Sequence, residues 1–268
     1  MNAFSHHFAF EFRTGLRNKQ LLLMNYLFPL GFYLMMGFIM PGINPPFREV
    51  LVPAMVVFSI LSSTLLGIPD PLVNARENGI FRSYKINGIP SLSILVIPAI
   101  TTILHLTIVA ILITATAPIL FDAPLPENWF NYVTIVLSTA FACAGISVLI
   151  GVVSPNSRMT VLWSQIIFVP SMMLGGLMLP FNMLPAAAGM FARLLPATQA
   201  MNALNGLAMG AAADFSPWSS VLILLSSGIL GFGLAMRLFS WDSHNTIRRG
   251  HPLLAWLVLA PYVIGIFL

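Results

Sequence analysis

Long apolar runs separated by short charged clusters set the pattern of this chain. Stretches free of Lys, Arg, Asp and Glu cover 20–47, 50–69, 86–121, 128–157, 159–192, 194–213, 215–236 and 250–268. A helix needs about 20 apolar residues to cross the hydrocarbon of a bilayer. The runs are continuously apolar, whereas a barrel strand alternates. Helices satisfy their own backbone groups in lipid and are the expected element. Spans are predicted at 21–40, 50–69, 92–119, 129–153, 160–180 and 217–238, with a shorter apolar segment at 252–268. The stretch 194–213 carries Pro196, Gln199, Asn202 and Asn205 and reads as re-entrant or interfacial.

Composition closes off the soluble classes. Hydrophobic residues make up 58% of the 268 residues and charged residues 7%, against roughly 25% charged in a soluble domain. A soluble enzyme of this size cannot wet its surface with so little charge. Cys143 stands alone, so no disulfide framework is available. The net charge of +4 is read through topology and not as a nucleic-acid signal. With the N-terminus in the cytosol and 194–213 not counted as a span, the inner side holds Arg13, Arg17, Lys19, Arg76, Arg82, Lys85, Arg158, Arg237, Arg248 and Arg249. The outer side then holds only Arg48 and Arg193. Counting 194–213 as a span would move Arg237, Arg248 and Arg249 outside, against the positive-inside rule. Residues 1–19 place Phe4, Phe8, Phe12 and Leu16 four apart beside Arg13, Arg17 and Lys19. That pattern suits an amphipathic helix lying in the cytosolic interface, against membrane lipid.

The missing motifs narrow function further. The only lysines are Lys19 and Lys85, neither after a glycine, so there is no phosphate-binding loop. No zinc-spaced His/Cys cluster and no nucleophile elbow occurs. His105, beside Thr101, Thr102 and Thr107, is the one ionisable group within a span, and it reads as a neutral, hydrogen-bonded histidine. A membrane chain without its own energy source points to a partner.

Two segments carry most of the information. The loop 71–90 is bracketed by Pro71 and Pro90, bends at Gly79 and Gly88, and sets Ile80, Phe81 and Tyr84 among Arg76, Glu77, Arg82 and Lys85. Its aromatics suit either a protein contact or the lipid interface. After the fifth span, Pro180, Pro185 and Pro196 break any continuous helix, which predicts short helices folded back into the outer leaflet over 181–212.

These segments resemble the membrane subunit of type-2 ABC transporters, the bacterial ABC exporter permease family. Arg76-Glu77-Asn78-Gly79, Arg82 and Pro90-Ser91 match the family pattern around the third span's start. Gly175-Gly176, Leu179-Pro180-Phe181, Leu184-Pro185 and Leu195-Pro196 match the pattern after the fifth span, with Leu195 where the family often has Asn. The resemblance covers about 1–241; residues 242–268 form an extension whose apolar part either crosses the bilayer or lies in its interface.

The resemblance implies an all-α polytopic membrane protein: a six-helix permease core with an N-terminal interfacial helix and a re-entrant external hairpin. It implies a multi-pass protein of the bacterial cytoplasmic membrane that pairs with a second permease copy, itself or a paralogue. It also implies two P-loop ATPase subunits that dock on 71–90 and carry ATP and Mg, while this chain binds no cofactor and is no enzyme itself. Arg76, Glu77, Gly79, Ile80, Phe81, Arg82 and Tyr84 are then the coupling residues, with Phe81 as the apolar knob and Glu77 and Arg82 as its polar rim. Pro180, Phe181, Pro185 and Pro196 shape the external gate. A path between protomers, lined by spans two and five at Met55, Phe58, Met172 and Met173, would suit export of an amphipathic or lipid-linked drug, lipid or glycan. The alternatives are a non-transporting membrane scaffold and an ion-coupled secondary transporter.

Overall fold

A computed structural model describes residues 12–13, 19–242 and 251–267. The interfacial helix expected over 1–19 falls outside the described residues, apart from Phe12, Arg13 and Lys19. All regular structure among the described residues is helical. The chain is an all-α polytopic membrane protein.

Among the described residues, five helices are long and apolar enough to cross a membrane: α1 (Leu23–Ile43), α2 (Phe47–Glu77), α4 (Ser91–Phe121), α5 (Trp129–Val153) and α9 (Pro217–Leu238). A short helix α3 (Ile80–Ile86) lies between α2 and α4. Helix α6 (Ser157–Leu174) has 18 residues and lies over most of the fifth predicted span, 160–180, but it ends at Gly175 and is not one of those five. At 1.5 Å per residue it measures roughly 27 Å. Two short helices follow, α7 (Ala186–Ala192) and α8 (Pro196–Ala203).

Local sequence explains most helix ends. Asn128 and Asn156 cap α5 and α6, each side-chain oxygen accepting from the backbone N–H three residues on. Pro185 immediately precedes α7 and Pro196 opens α8, the end of a helix that tolerates proline. Prolines therefore begin both short helices, while α6 has already ended at Gly175. Pro41, Pro53, Pro98, Pro118 and Pro170 lie inside helices and do not end them. Neighbouring helices and local adjustments make such prolines tolerable in a membrane bundle. Three π-helical turns interrupt the regular winding, at Leu23–Leu27, Ser62–Leu66 and Leu204–Ala208.

Burial ranks the helices. In the most apolar stretch of α2, 94% of residues are buried; in that of α1, 22% are. Helix α2 is the axis of the fold, with α5 beside it and α1 on the rim. The most extensive packing joins α5 to α9. It runs through glycines: a Cβ placed on Gly231 would lie 2.7 Å from the backbone carbon of Gly145. Small residues let helices approach closely in lipid, where packing drives association.

The C-terminal segment Pro252–Gly265 begins as a 3-10 helix and ends as an α-helix, α10 (Ala260–Gly265). It packs along α9, with Tyr262 fully buried and Gly265 backed onto Ile223. Trp256 meets Trp163 near the start of α6, with ring centroids 5.8 Å apart. The Ile266 carbonyl accepts from Arg193 Nη1 at 3.4 Å, beyond the end of α6. The segment thus extends along the bundle from the level of Trp163 to that of Arg193.

Candidate functional site

Helix α2 continues past the predicted end of its span, through a π turn, and stops at Glu77. Gly79 then takes φ +71°, a left-handed conformation suited to a residue without Cβ, and starts α3. Gly88, also at φ +71°, ends it: Gly88 N–H donates to Lys85 O at 3.2 Å and Ile89 N–H to Tyr84 O at 3.0 Å. That pair of bonds is a Schellman closure. A seven-residue helix between two such turns is held as a separate unit, about 10 Å long.

The side chains of this unit divide into anchors and exposed groups. Phe81 is 4% exposed and packs on Phe239, with ring centroids 5.5 Å apart. Arg82 pairs with Asp242. Both contacts bind α3 to the segment 239–242 that follows α9. Ile80 and Ile86 are the exposed apolar side chains, 42% and 86% accessible. Glu77 is exposed beside them and Tyr84 is half-buried. The expectation that Phe81 forms an outward knob is therefore corrected. Its ring is large enough to fill the gap under α3, and the isoleucines on either side face outward.

Arg76 is also an anchor and not a contact residue. It is buried, and its guanidinium donates to Val152 O at 2.7 Å and to Ser154 O, at the C-terminal end of α5. A cation there satisfies carbonyls that have no helical partner and meets the negative end of the helix dipole. Asn74 Oδ1 accepts from Ser157 Oγ at 3.0 Å, at the start of α6. Removing a charged donor that serves buried carbonyls costs about 1.5–3 kcal/mol per bond. Arg76→Met is expected to lower the melting temperature in detergent and to speed amide exchange over 71–90. Arg76→Lys should recover only part of the loss, because an ammonium does not reproduce the two-pronged guanidinium contact.

The opposite face carries the folded-back hairpin. Gly176 turns at φ +83°, and α7 and α8 follow. Asn202 is its hub: Oδ1 accepts from Asp214 N–H at 2.9 Å and Phe215 N–H at 3.2 Å, while Nδ2 donates to Phe215 O and Ser220 Oγ. Gln199 Nε2 donates to Arg193 O at 2.7 Å. Arg193 lies 4.6 Å over the Phe215 ring, whose other neighbour is Phe181 at 5.7 Å. Burial raises the Asp214 carboxyl, and the nearby Arg193 charge pulls it back down. Glu127 N–H and Asn128 N–H donate to Ala208 O, which fastens the hairpin to the loop before α5. Pro180, Pro185 and Pro196 all sit at turns within this unit. Gln199 and Asn202 were legible as polar residues in an apolar run; their role as backbone clamps was not.

The expected transport path changes. Met55 and Phe58 are 1% and 0% exposed, inside the protomer's own core. Phe58 stacks on Phe32, centroids 4.0 Å apart, and touches Phe168. Met172 is half-buried, and only Met173 faces outward. Helix α2 is enclosed on nearly all sides, so it has no free face to line a passage between two copies. His105 bonds to the Tyr26 hydroxyl, Nδ1 to oxygen 2.7 Å, and not to a neighbouring threonine. Thr101 and Thr107 turn their hydroxyls to their own helix backbone.

The profile of the ABC-2 type transporter family matches residues 3–209. The chain belongs to this family. No individual curated protein and no solved structure matches it. The matched region contains α1 to α8, and with them both the α2–α3 element and the hairpin. Helix α9 and the segment Pro252–Gly265 lie beyond it. This is a multi-pass ABC-2 permease subunit, a family of membrane subunits without a nucleotide-binding domain of their own.

Proposed function

We propose that this ABC-2 permease is the membrane half of an exporter driven by separate P-loop ATPase subunits, which dock on α3. One observation carries the reading. Helix α3 is a discrete unit with exposed apolar and charged groups, joined through the Gly79 turn to the end of α2, and the two together are anchored to three separate segments. Arg76 reaches the end of α5, Asn74 the start of α6, and Phe81 with Arg82 the segment after α9. A push on Ile80 and Ile86 would reach all three.

ATP and Mg would be held by the partner subunits, and no cofactor by this chain. The energy for switching between inward- and outward-facing states comes from the different affinity of ATP for the two partner arrangements. The permease acts as a pair, homodimeric or with a paralogue, in the bacterial cytoplasmic membrane, with the N-terminus and α3 in the cytosol. Exposed apolar faces for lipid and the second copy remain on several helices, among them α1 (Leu34, Met35, Phe38), α4 (Ile111, Ile119), α6 (Val161, Ile166, Met173) and α9 (Leu222, Ile229). The hairpin around Pro180, Phe181, Pro185 and Pro196 forms the external gate. The cargo is amphipathic or lipid-linked, of drug, lipid or glycan type, in keeping with apolar faces open to the bilayer.

The test is co-expression with a P-loop ATPase encoded beside this chain, followed by purification and reconstitution. Co-purification and an ATPase rate that rises on assembly support the reading. An ATPase that neither binds nor responds refutes it. So does external labelling of a cysteine placed at Ile86.

A further inference from the structure

The segment Pro252–Gly265 winds its first 8 residues as a 3-10 helix and its last 6 as an α-helix. At the rise of each form the whole measures about 25 Å, where an α-helix throughout would reach about 21 Å. Runs of 3-10 helix beyond three or four residues are uncommon. The steeper rise brings this short segment close to the length of α6. Its two ends lie on opposite sides of the bundle. Trp256 meets Trp163 in the second turn of α6, and α6 begins on the α3 side, where Ser157 bonds to Asn74. Helix α9 ends on that side too, since Phe239 packs on Phe81. At the far end the Ile266 carbonyl accepts from Arg193 of the hairpin.

The surface of the segment says which solvent it meets. Val258, Pro261, Tyr262 and Gly265 are buried against the bundle. A Cβ on Gly265 would run into Ile223 of α9, so the two backbones approach closely. The outward side carries Leu253, Trp256, Leu257, Val263 and Ile264, all exposed. No charged residue occurs between 252 and 266, and Tyr262, which points inward, is the single polar side chain. A helix lying in the membrane interface needs a polar face for the headgroups. This segment has none, and its outward side suits hydrocarbon. The last carbonyls of a helix lack partners within it. Here the Arg193 guanidinium supplies one, at the end where a cation also meets the negative pole of the helix dipole.

We propose that residues 252–266 cross the membrane, as a seventh span once α6 is counted, and act as a strap on the hairpin. The crossing sets Phe267 on the side of the hairpin, opposite α3. Arg193 is where the strap takes hold. Its own carbonyl accepts from Gln199, its guanidinium lies over Phe215, and the same guanidinium donates to Ile266 O. The link between α7 and α8 is thereby tied to a segment that is packed along α9. A movement of the hairpin that lifts Arg193 must break this bond or carry the strap with it. The effect on gating rests on the hairpin as the external gate; the crossing does not.

The experiment uses the full chain without any ATPase, so its failure is separable from that of the proposed function. Cysteines are placed one at a time at Phe267, at Met183 of the hairpin and at Ile86 of α3, all exposed positions. Cys143 is buried, and the unsubstituted chain serves as the blank. Spheroplasts are treated with a membrane-impermeant maleimide before and after lysis. Phe267→Cys is expected to label from the same side as Met183→Cys and from the side opposite Ile86→Cys, whichever way the chain is inserted. Labelling from the Ile86 side, or no labelling until detergent is added, overturns the crossing. The strap is tested by amide exchange over 181–195 in nanodiscs. Tyr262 is seated near Cys143 of α5 and Ser227 of α9. Tyr262→Ala therefore loosens the strap at a distance from the hairpin, and it should speed exchange in the hairpin roughly fivefold or more. Gly265→Val, which presses on Ile223, serves the same purpose if the alanine variant does not fold. Unchanged hairpin exchange in either folded variant overturns the strap.

Discussion

Ile86→Asp is expected to cut the permease-stimulated ATPase rate of the reconstituted complex at least tenfold without moving the melting temperature of the chain. Ile86 is 86% exposed at the end of α3 and contributes little to the fold. Placed in a protein contact, a buried isoleucine side chain is worth about 1.5–3 kcal/mol. A desolvated carboxylate adds a further penalty. A loss of about 1.4 kcal/mol already gives a factor of ten. Ile80→Asp should act in the same direction and more weakly, since Ile80 is partly covered. Phe81→Ala separates contact from anchorage. Phe81 is buried on Phe239, and truncating a buried phenylalanine costs about 3–5 kcal/mol. It should therefore lower the melting temperature first and coupling as a consequence. Normal stimulation in the Ile80→Asp/Ile86→Asp double variant would remove α3 as the docking element.

The second large effect concerns the bundle itself. Gly231→Leu should leave little folded chain on size-exclusion chromatography in mild detergent. A Cβ at 231 meets the Gly145 backbone at 2.7 Å, and one at Gly145 meets the Gly228 carbonyl oxygen at 2.9 Å. Backbone cannot rotate aside as a flexible side chain does, so α5 and α9 must separate. No hydrophobic force draws helices together in lipid, so burial elsewhere does not make up for looser packing along that seam. Overpacking typically costs about 1–3 kcal/mol, and a leucine at this crossing belongs at or above the top of that range. Even Gly231→Ala should be destabilising. Gly233→Ala is the control: nothing lies within 4 Å of its Cβ, and it should behave as wild type. Equal melting temperatures for the alanine substitutions at 231 and 233 would show that the seam is not under this constraint.

The amino-acid order alone was enough for the helices. Charge spacing placed the spans, and 129–153 and 217–238 coincide with α5 and α9. Gly79 and Gly88 announced the turns around α3, and the prolines announced the hairpin. These features are local: hydrophobic run length, left-handed φ and the missing proline N–H act within a few residues. Which face of each helix would be enclosed was not legible. In a membrane span nearly every side chain is apolar, so periodicity does not mark the inside as it does in water. Met55 and Phe58 looked like path residues for that reason and are core residues. Phe81 looked like a knob because an aromatic between charges reads the same whether its partner is another chain or Phe239, more than 150 positions away. Arg76 and Asn202 depend likewise on distant or backbone partners, and residue order does not encode such geometry. Composition and turn chemistry thus determined a helical membrane protein with a bent loop at 71–90 and a folded-back hairpin, and the motif resemblance added the permease family. Tertiary packing decided which residues anchor and which remain free, because burial in a uniformly apolar chain is set by helix contacts and not by side-chain type.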